Sequence, residues 1–250
     1  MLNVKLNLRK KVITQWFINH MKFSLANLPF LRSIEVSLRF KWNYKRNFKN
    51  LKFSGQYFQD MIAFLYLQDI KKGFYMDIGA NSGIGLSNTY IFEQIGWNGL
   101  CIEPQPNTYK MLKKNRKCDC YNVALSSKNN ESVDFFKATA NVLSGLNEGM
   151  SESHKRQASE FGKTEIIKVK TMTFDEIMAN YPNVKHIDFL SLDVEGHEVP
   201  ILETIDFGKY SFGFLTIERS NPERIKEIMQ KNGYKVFIEK IGADIMFVPE

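Results

Sequence analysis

The chain has 250 residues, of which 44% are hydrophobic, enough to bury a core and fill one large α/β domain with an extension. Its basic residues are unevenly distributed: residues 1–52 hold twelve Lys or Arg and one acid, whereas residues 53–250 hold 22 Lys or Arg and 26 acids. The main part of the chain is therefore slightly acidic, and its composition does not support nucleic-acid binding by that part.

Residues 1–52 are predicted to form a basic N-terminal extension, separate from a main domain at residues 53–250. Apolar residues, among them Trp16 and Phe17, recur there at helical spacing, but polar residues interrupt them too often for a spanning helix. One interpretation is a helical arm that packs on its own domain or on a second subunit, giving a homo-oligomer. The other is an interfacial helix that contacts anionic lipid at the inner face of the membrane.

The stretch Phe74-Tyr-Met-Asp-Ile-Gly-Ala-Asn-Ser-Gly-Ile-Gly-Leu86 is predicted as strand, glycine loop and helix, with helical spacing starting at Ile84. This is the first β-α unit of a doubly wound sheet, whose ligands bind beyond the carboxyl ends of the strands. The glycine spacing matches neither the dinucleotide fingerprint nor the phosphate loop. Asp77 would repel phosphate, which favours a cationic or neutral nucleoside such as S-adenosylmethionine. The alternative is an ordinary turn.

A second strand, Gly99-Leu-Cys-Ile-Glu-Pro104, ends in an acid, and a carboxylate there is placed to accept hydrogen bonds from ribose hydroxyls. Cys120 to Leu125 are predicted as a third strand whose end lies near an adenine. Residues 126–170 contain two alternating runs around a long polar stretch, which is typical of a loop that shapes the substrate site.

A fourth strand, Ile187 to Leu192, leads into Asp193-Val-Glu-Gly-His-Glu198, where three acids and a His follow a buried strand. A fifth strand, Phe212 to Ile217, also ends in an acid, Glu218. The chain closes with a helix and an antiparallel pair of strands around Gly242.

Cys101, Cys118 and Cys120 make an odd count without metal-ligand spacing. A zinc site or a disulfide framework is therefore disfavoured, and a reducing, cytoplasmic location is predicted.

Four motifs in this order resemble the FkbM family of S-adenosylmethionine-dependent methyltransferases: Asp77-Ile-Gly-Ala-Asn-Ser-Gly, Glu103-Pro, Asn122-Val-Ala-Leu125 and Leu192-Asp-Val-Glu-Gly-His-Glu198. The resemblance runs from about Ser54 to the C-terminus. It implies a Rossmann-like class I fold, with a seven-stranded, mostly parallel sheet, an antiparallel last strand and helices on both faces. It also implies methyl transfer to an oxygen, often a hydroxyl of a sugar, a surface-polysaccharide precursor or a small metabolite.

Carried over by position, the resemblance assigns cofactor-binding roles to several residues. The methionine part would contact Asp77, Gly79, Ala80, Asn81 and Gly83; the ribose would contact Glu103 and Pro104; the adenine would contact Asn122, Ala124 and Leu125. Asp193 would face the transferred methyl. Family members often carry Lys or Arg where Ser191 stands here, so one charge partner of the acids is missing.

The acid-rich turn supplies the candidate catalytic residues. His197 is the first candidate for the base that accepts the hydroxyl proton, since an imidazole is neutral near pH 7. Asp193 is the second, as base or orienter, with Glu195 beside it. Asp193, Glu195 and Glu218 also offer the oxygen ligands that Mg²⁺ or Ca²⁺ requires. The favoured interpretation is that they contact cofactor and acceptor without a metal.

Two other functions stay open. The basic arm, with Trp16, Phe17, Trp42 and Tyr44, fits an RNA or other nucleic-acid methyltransferase. The acidic main domain argues against that function. A non-catalytic binding module that keeps the cofactor fold is the third hypothesis, and the presence of all the acids and glycines needed for chemistry weakens it.

Overall fold

The computed structural model describes residues 51–138, 144–160 and 162–250, and the predicted N-terminal helix lies outside these ranges. Residues Phe53–Glu250 form one compact unit. The helices of the described ranges are α1 (Gln59–Tyr66), α2 (Tyr90–Gln94), α3 (Pro106–Asn115), α4 (Glu152–Glu160), α5 (Phe174–Met178), α6 (Glu198–Thr204) and α7 (Pro222–Lys231). The strands are β1 (Phe74–Ile78), β2 (Asn98–Ile102), β3 (Asp119–Tyr121), β4 (Ala124–Leu125), β5 (Ser132–Ala138), β6 (Gly145–Leu146), β7 (Thr164–Met172), β8 (His186–Leu192), β9 (Ser211–Glu218), β10 (Tyr234–Ile241) and β11 (Asp244–Pro249).

The main sheet has seven strands in the order β10-β11-β9-β8-β1-β2-β3. The neighbours from β9 to β3 pair in parallel, whereas β11 pairs antiparallel with both β9 and β10. This is the sheet that the family resemblance implies, including its antiparallel last strand. The parallel order brings the carboxyl ends of β1, β2, β8 and β9 to one edge.

Both faces of the central strands are buried, as their long apolar runs predict for a parallel sheet. On one face, fully buried residues such as Met76 and Leu190 pack in the same core as Ile177 of α5 and Ile201 of α6. On the other face, the ring of Phe189 lies 5.0 Å from that of Phe92 in α2. The helices therefore cover both faces and leave the strand ends as the place for a ligand.

The predicted third strand is wrong in one respect, because the chain leaves the main sheet at Asn122. The Asn122 side chain donates to the carbonyls of Glu103 and Pro104, at 2.9 Å each. Only β3 joins the main sheet, and β4 pairs with β7 in a second sheet of four strands, β4-β7-β5-β6. The two alternating runs are β5 and β7 of this sheet, paired antiparallel with Val133 opposite Val169.

The helix predicted to begin near Ile84 begins at Tyr90 instead. Leu86 has a φ of 64° and is 48% exposed, so its backbone cannot belong to a helix. The segment between β1 and α2 is a long loop, and buried side chains on its inner side hold it in place. Within the described ranges, no helix has both the length and the apolar character needed to cross a membrane.

Candidate active site

A cavity of about 420 Å³ opens at the carboxyl ends of the parallel strands. Gly79 follows β1, Glu103 follows β2, Asp193 follows β8 and Glu218 ends β9, and all four line the cavity. Its volume falls within the range of about 300–1,000 Å³ that is usual for small-molecule sites. The second sheet contributes Phe135 and Leu146 to the wall, the segment before α1 contributes Gln56, and α1 contributes its first residue, Gln59, so the cavity is flanked on several sides.

Most of the residues predicted for the site line this cavity. Those that do are Gly79, Ala80, Asn81, Glu103, Pro104, Ala124, Leu125, Asp193, Glu195, His197 and Glu218. Asp77, Gly83 and Asn122 are not part of its lining. The structure therefore brings the motifs together, although three of the predicted residues lie behind the wall.

Asp77 is 4% exposed and its carboxylate lies beneath the glycine loop. Its Oδ2 accepts hydrogen bonds from Thr89 Oγ1 at 2.5 Å and Ser87 Oγ at 3.3 Å. Burial raises the pKa of Asp77, and the nearby Arg116 guanidinium opposes that rise. The bonds of this carboxylate hold the far end of the loop against β1.

Arg116 is the residue of this region that the sequence analysis missed. Its side chain is fully buried, with Nη1 3.8 Å from Asp77 Oδ2 and Nε 3.1 Å from Glu93 Oε2. The guanidinium also donates to the carbonyl of Gly83 and to the hydroxyls of Ser87 and Thr89. In the sequence this arginine stands among surface lysines after α3, and no local pattern distinguishes it.

Gly79 turns the chain away from β1 with a φ of 87°. A Cβ atom at this position would lie 1.7 Å from the carbonyl oxygen of Asp193. Only glycine allows both the positive φ and this close approach between the β1 and β8 ends. The backbone of the loop is thereby brought directly against the acid-rich turn.

Glu103 is 7% exposed and connects β2 to the glycine loop. Its Oε2 accepts from the backbone N–H of Asn81 at 3.0 Å, and its Oε1 accepts from that of Gln105 at 2.8 Å. Burial raises the pKa of Glu103 to about 7, even though these hydrogen bonds favour the ionised form. A carboxylate held in this way has lone pairs left for the hydroxyls of a bound ribose.

Asp193, Glu195 and Glu218 bring carboxylate oxygens within 4.8 Å of one another. The turn that places them is unusual: Glu195 has a φ of 59°, Gly196 has a φ of 109°, and the Glu195 N–H donates to Glu218 Oε2 at 3.0 Å. Partial desolvation in the cavity raises the pKa of all three carboxyls, Asp193 being the most exposed of them, and the negative charges of neighbouring acids, Glu198 among them, raise it further. Such a group is suited to a divalent cation or to hydrogen-bond donors of a ligand.

Two more acids lie close to this group: Glu198 is behind the cavity wall, and Asp244, which was not predicted, lines the cavity. Glu198 is fully buried and accepts from the N–H groups of Val194 and Gly196, at 2.9 and 3.3 Å, and from the hydroxyl of Ser220. Asp244, at the start of β11, accepts from Gln59 Nε2 at 2.8 Å, and burial raises its pKa to about 6. Glu198 shapes the turn, and Asp244 ties α1 to the cavity.

His197 is 5% exposed and lines the cavity immediately before α6. Its Nε2 lies 3.5 Å from Ser126 Oγ, a residue that the sequence analysis did not select. Burial lowers the pKa of His197, and the negative charges of Glu148 and Glu198 raise it by a smaller amount. The ring is therefore neutral at pH 7 and free to accept a proton.

The strand order and a strand-end cavity rimmed by acids define a Rossmann-like fold with a nucleoside-sized site. The profile of the methyltransferase FkbM domain matches residues 77–236, which is more than half of the chain. The chain therefore belongs to the FkbM methyltransferase family. It is a methyltransferase that uses S-adenosylmethionine.

Three methyltransferases are among the solved structures that match this chain, all with TM-scores below 0.5. A TehB-like S-adenosylmethionine-dependent enzyme from Corynebacterium glutamicum is 9% identical, with a TM-score of 0.40 over 88% of this chain and 98% of that one. Precorrin-6y C5,15-methyltransferase from Geobacter metallireducens is 9% identical, with a TM-score of 0.39 over 81% of this chain and 94% of that one. An S-adenosylmethionine-dependent methyltransferase from Aquifex aeolicus is 12% identical, with a TM-score of 0.35 over 76% of this chain and 89% of that one. Similarities this low say nothing about the substrate. No curated protein matches the chain in sequence.

Proposed function

We propose that the protein methylates a hydroxyl oxygen of a sugar, a surface-polysaccharide precursor or a small metabolite. The observation that carries this proposal is the buried imidazole of His197, whose pKa burial lowers, on the wall of the same cavity as Asp193 and Glu218. A hydroxyl acceptor must lose a proton during transfer, and an imidazole of lowered pKa is ready to take it at pH 7.

The cofactor fits the side of the cavity built by β1, β2 and β4. Gly79, Ala80 and Asn81 line the cavity and would hold the methionine part of the cofactor, while Glu103 would accept the ribose hydroxyls. Ala124 and Leu125, with Pro104, form the apolar wall for adenine. We assign Asp77 and Gly83 to positioning the loop and Asn122 to positioning β4, since none of the three lines the cavity.

When bound, the cofactor supplies a methyl group on a sulfonium, which is already a good leaving group. The remaining tasks of the protein are alignment and proton removal. Alignment brings the acceptor oxygen to near-attack distance, which converts a bimolecular reaction into an effectively unimolecular one. In this proposal the acceptor hydroxyl replaces Ser126 Oγ as the partner of His197 Nε2, which takes the hydroxyl proton. Asp193, at the end of β8, orients the hydroxyl.

Glu195 and Glu218 would accept hydrogen bonds from further hydroxyls of the acceptor. A polyol presents several donors, and a carboxyl keeps acceptor oxygens in either protonation state. We propose that they do so without a metal ion, as the sequence analysis favoured. The domain that carries the activity is residues 53–250.

The test uses the full chain with S-adenosylmethionine carrying a deuterated methyl group. It is incubated separately with oligosaccharides, with nucleotide sugars and with RNA, and mass spectrometry locates the label. We expect the label on a sugar hydroxyl. Exchange of His197 for Asn should reduce the rate at least a hundredfold, whereas the exposed His186, exchanged for Asn, serves as the matched control. Label on RNA, or on a nitrogen, would contradict the proposal.

A further inference from the structure

The three cysteines lie together where β2 meets β3. Cys101 is fully buried in β2, opposite Cys120 of β3, and Cys118 immediately precedes β3. The Sγ atoms of Cys101 and Cys118 are 3.5 Å apart, and all three thiols are free. Cys120 Sγ donates to the Cys118 carbonyl at 3.4 Å. The proposed methyl transfer uses none of them.

Cys101 and Cys118 differ in chemical character. Hydrogen bonding with the Cys101 and Cys120 thiols, together with the charge of Arg116, lowers the pKa of Cys118. Burial raises the pKa of Cys101. Cys118 is also partly exposed. A lowered pKa and partial exposure are the properties of an oxidation-sensitive cysteine, and Cys101 lies behind Cys118 as a buried second thiol.

Cys118 also belongs to the network that holds the glycine loop. Its backbone N–H donates to Glu93 Oε2 at 3.2 Å, and the same oxygen accepts from Arg116 Nε at 3.1 Å. Arg116 in turn donates to the Gly83 carbonyl at 3.0 Å. A displacement of Cys118 therefore reaches the loop through two hydrogen-bonded groups.

We propose that Cys118 is a site of reversible oxidation by hydroperoxides, that Cys101 captures the oxidised sulfur as a disulfide, and that this form binds S-adenosylmethionine more weakly. The Cys118 thiolate attacks the terminal oxygen of the hydroperoxide, the O–O bond breaks, and an S–O bond forms. The sulfur loses two electrons, and an alkoxide leaves, or hydroxide when the oxidant is hydrogen peroxide. The Cys101 thiol then attacks the sulfenic sulfur, the S–S bond forms, and water leaves. A dithiol reverses both steps by reducing the disulfide.

The bond itself disturbs the network. A disulfide requires its sulfurs about 2.05 Å apart, so Cys101 and Cys118 must approach each other by about 1.5 Å. Cys101 is fixed in the sheet between β1 and β3. Cys118 lies outside the strand, so we expect Cys118 to move when the disulfide forms. This movement draws the Cys118 N–H away from Glu93.

The experiment treats the reduced full chain with hydrogen peroxide, blocks the remaining thiols and maps the cross-linked peptides after trypsin. Cys118 and Cys120 share one tryptic peptide, so the pairing is assigned with the variants Cys118→Ser and Cys120→Ser. We expect the cross-link to Cys101 in the wild type and in Cys120→Ser, and none in Cys118→Ser. Calorimetry should show at least a fivefold loss of S-adenosylmethionine affinity in the oxidised wild type and Cys120→Ser, restored by dithiothreitol.

The variant Cys101→Ala supplies a second measurement. Its Cys118 should form a sulfenic acid that a dimedone probe traps, whereas Cys118→Ser should give no such adduct. A cross-link that requires Cys120, or a complete Cys101–Cys118 disulfide with unchanged cofactor affinity, would overturn the inference. Both outcomes are independent of which acceptor is methylated, so they leave the proposed function untouched.

Discussion

The Arg116 guanidinium lies 3.8 Å from the carboxylate of Asp77, and the Arg116 side chain is completely buried. This contact joins the residue after α3 to the end of β1. Asp77 and Arg116 both bind Ser87 and Thr89, so the pair holds the loop between β1 and α2 from below. The loop needs this support because its residues form neither helix nor strand over most of its length.

Exchange of Arg116 for Gln should lower the free energy of unfolding by about 3–5 kcal/mol, because it leaves the buried carboxylate of Asp77 without its charge partner. Exchange for Lys should lower the free energy of unfolding by a smaller amount, because the positive charge is retained and only the forked hydrogen bonds are lost. Urea unfolding of both variants measures this. The exposed Lys114, exchanged for Gln, is the control, and a loss for Arg116→Gln no larger than that of the control would refute the role.

Exchange of Gly79 for Ala should lower the free energy of unfolding by more than about 2 kcal/mol. A positive φ is strained for alanine, and the added Cβ would meet the Asp193 carbonyl at 1.7 Å. Gly85 lies in the same loop without positive φ and with open space around it, so Gly85→Ala should be nearly neutral. Denaturant titrations of the two variants compare them directly, and equal losses would contradict the close approach.

The stability of the cofactor-free protein should fall as the pH rises from 5 to 8. Burial raises the pKa of Glu103 from 4.5 to about 7, so between these values the folded protein binds more protons than the unfolded chain. The effect of this group is up to about 3 kcal/mol over the window. Unfolding at several pH values should show a shallower slope for Glu103→Gln. Part of the dependence of stability on pH should remain in Glu103→Gln, because the pKa values of Asp60 and Asp244 are also raised.

The acid limb of kcat/KM should identify the base. A base acts when deprotonated, so the rate falls as the pH drops through its pKa. Burial lowers the pKa of His197 from 6.5, which places the limb below 6.5. Rate profiles should lose this limb in His197→Asn and keep it, at a lower rate, in Asp193→Asn. If the acid limb persists in His197→Asn, the general base is a carboxyl and not His197.

Dialysis against an excess of chelator should leave the rate of methyl transfer unchanged. We expect Asp193, Glu195 and Glu218 to bind hydroxyls of the acceptor, although their oxygens lie close enough for a shared ion. The assay compares dialysed protein with and without added Mg²⁺ or Ca²⁺. Activity that disappears with the chelator and returns with either ion would make these carboxylates a metal site.

The sequence by itself determined the sheet and the place of the site. Buried parallel strands are long apolar runs, and each predicted run that ends in Asp77, Glu103, Asp193 or Glu218 is a strand of the main sheet. Because parallel strands end at one edge, local patterns were enough to bring these positions together. The closing pair β10 and β11 followed in the same way from its alternating residues around Gly242.

Only the tertiary structure decided which way the side chains at that edge point. Asp77 turns under the loop because donors from Ser87, Thr89 and Arg116 meet it there, and the third strand breaks because Asn122 bonds two distant carbonyls. The proximity of Cys118 to Cys101 likewise depends on the pairing of β2 with β3. Hydrophobic periodicity records burial along one segment, and it carries no information about hydrogen-bond partners that come from other segments.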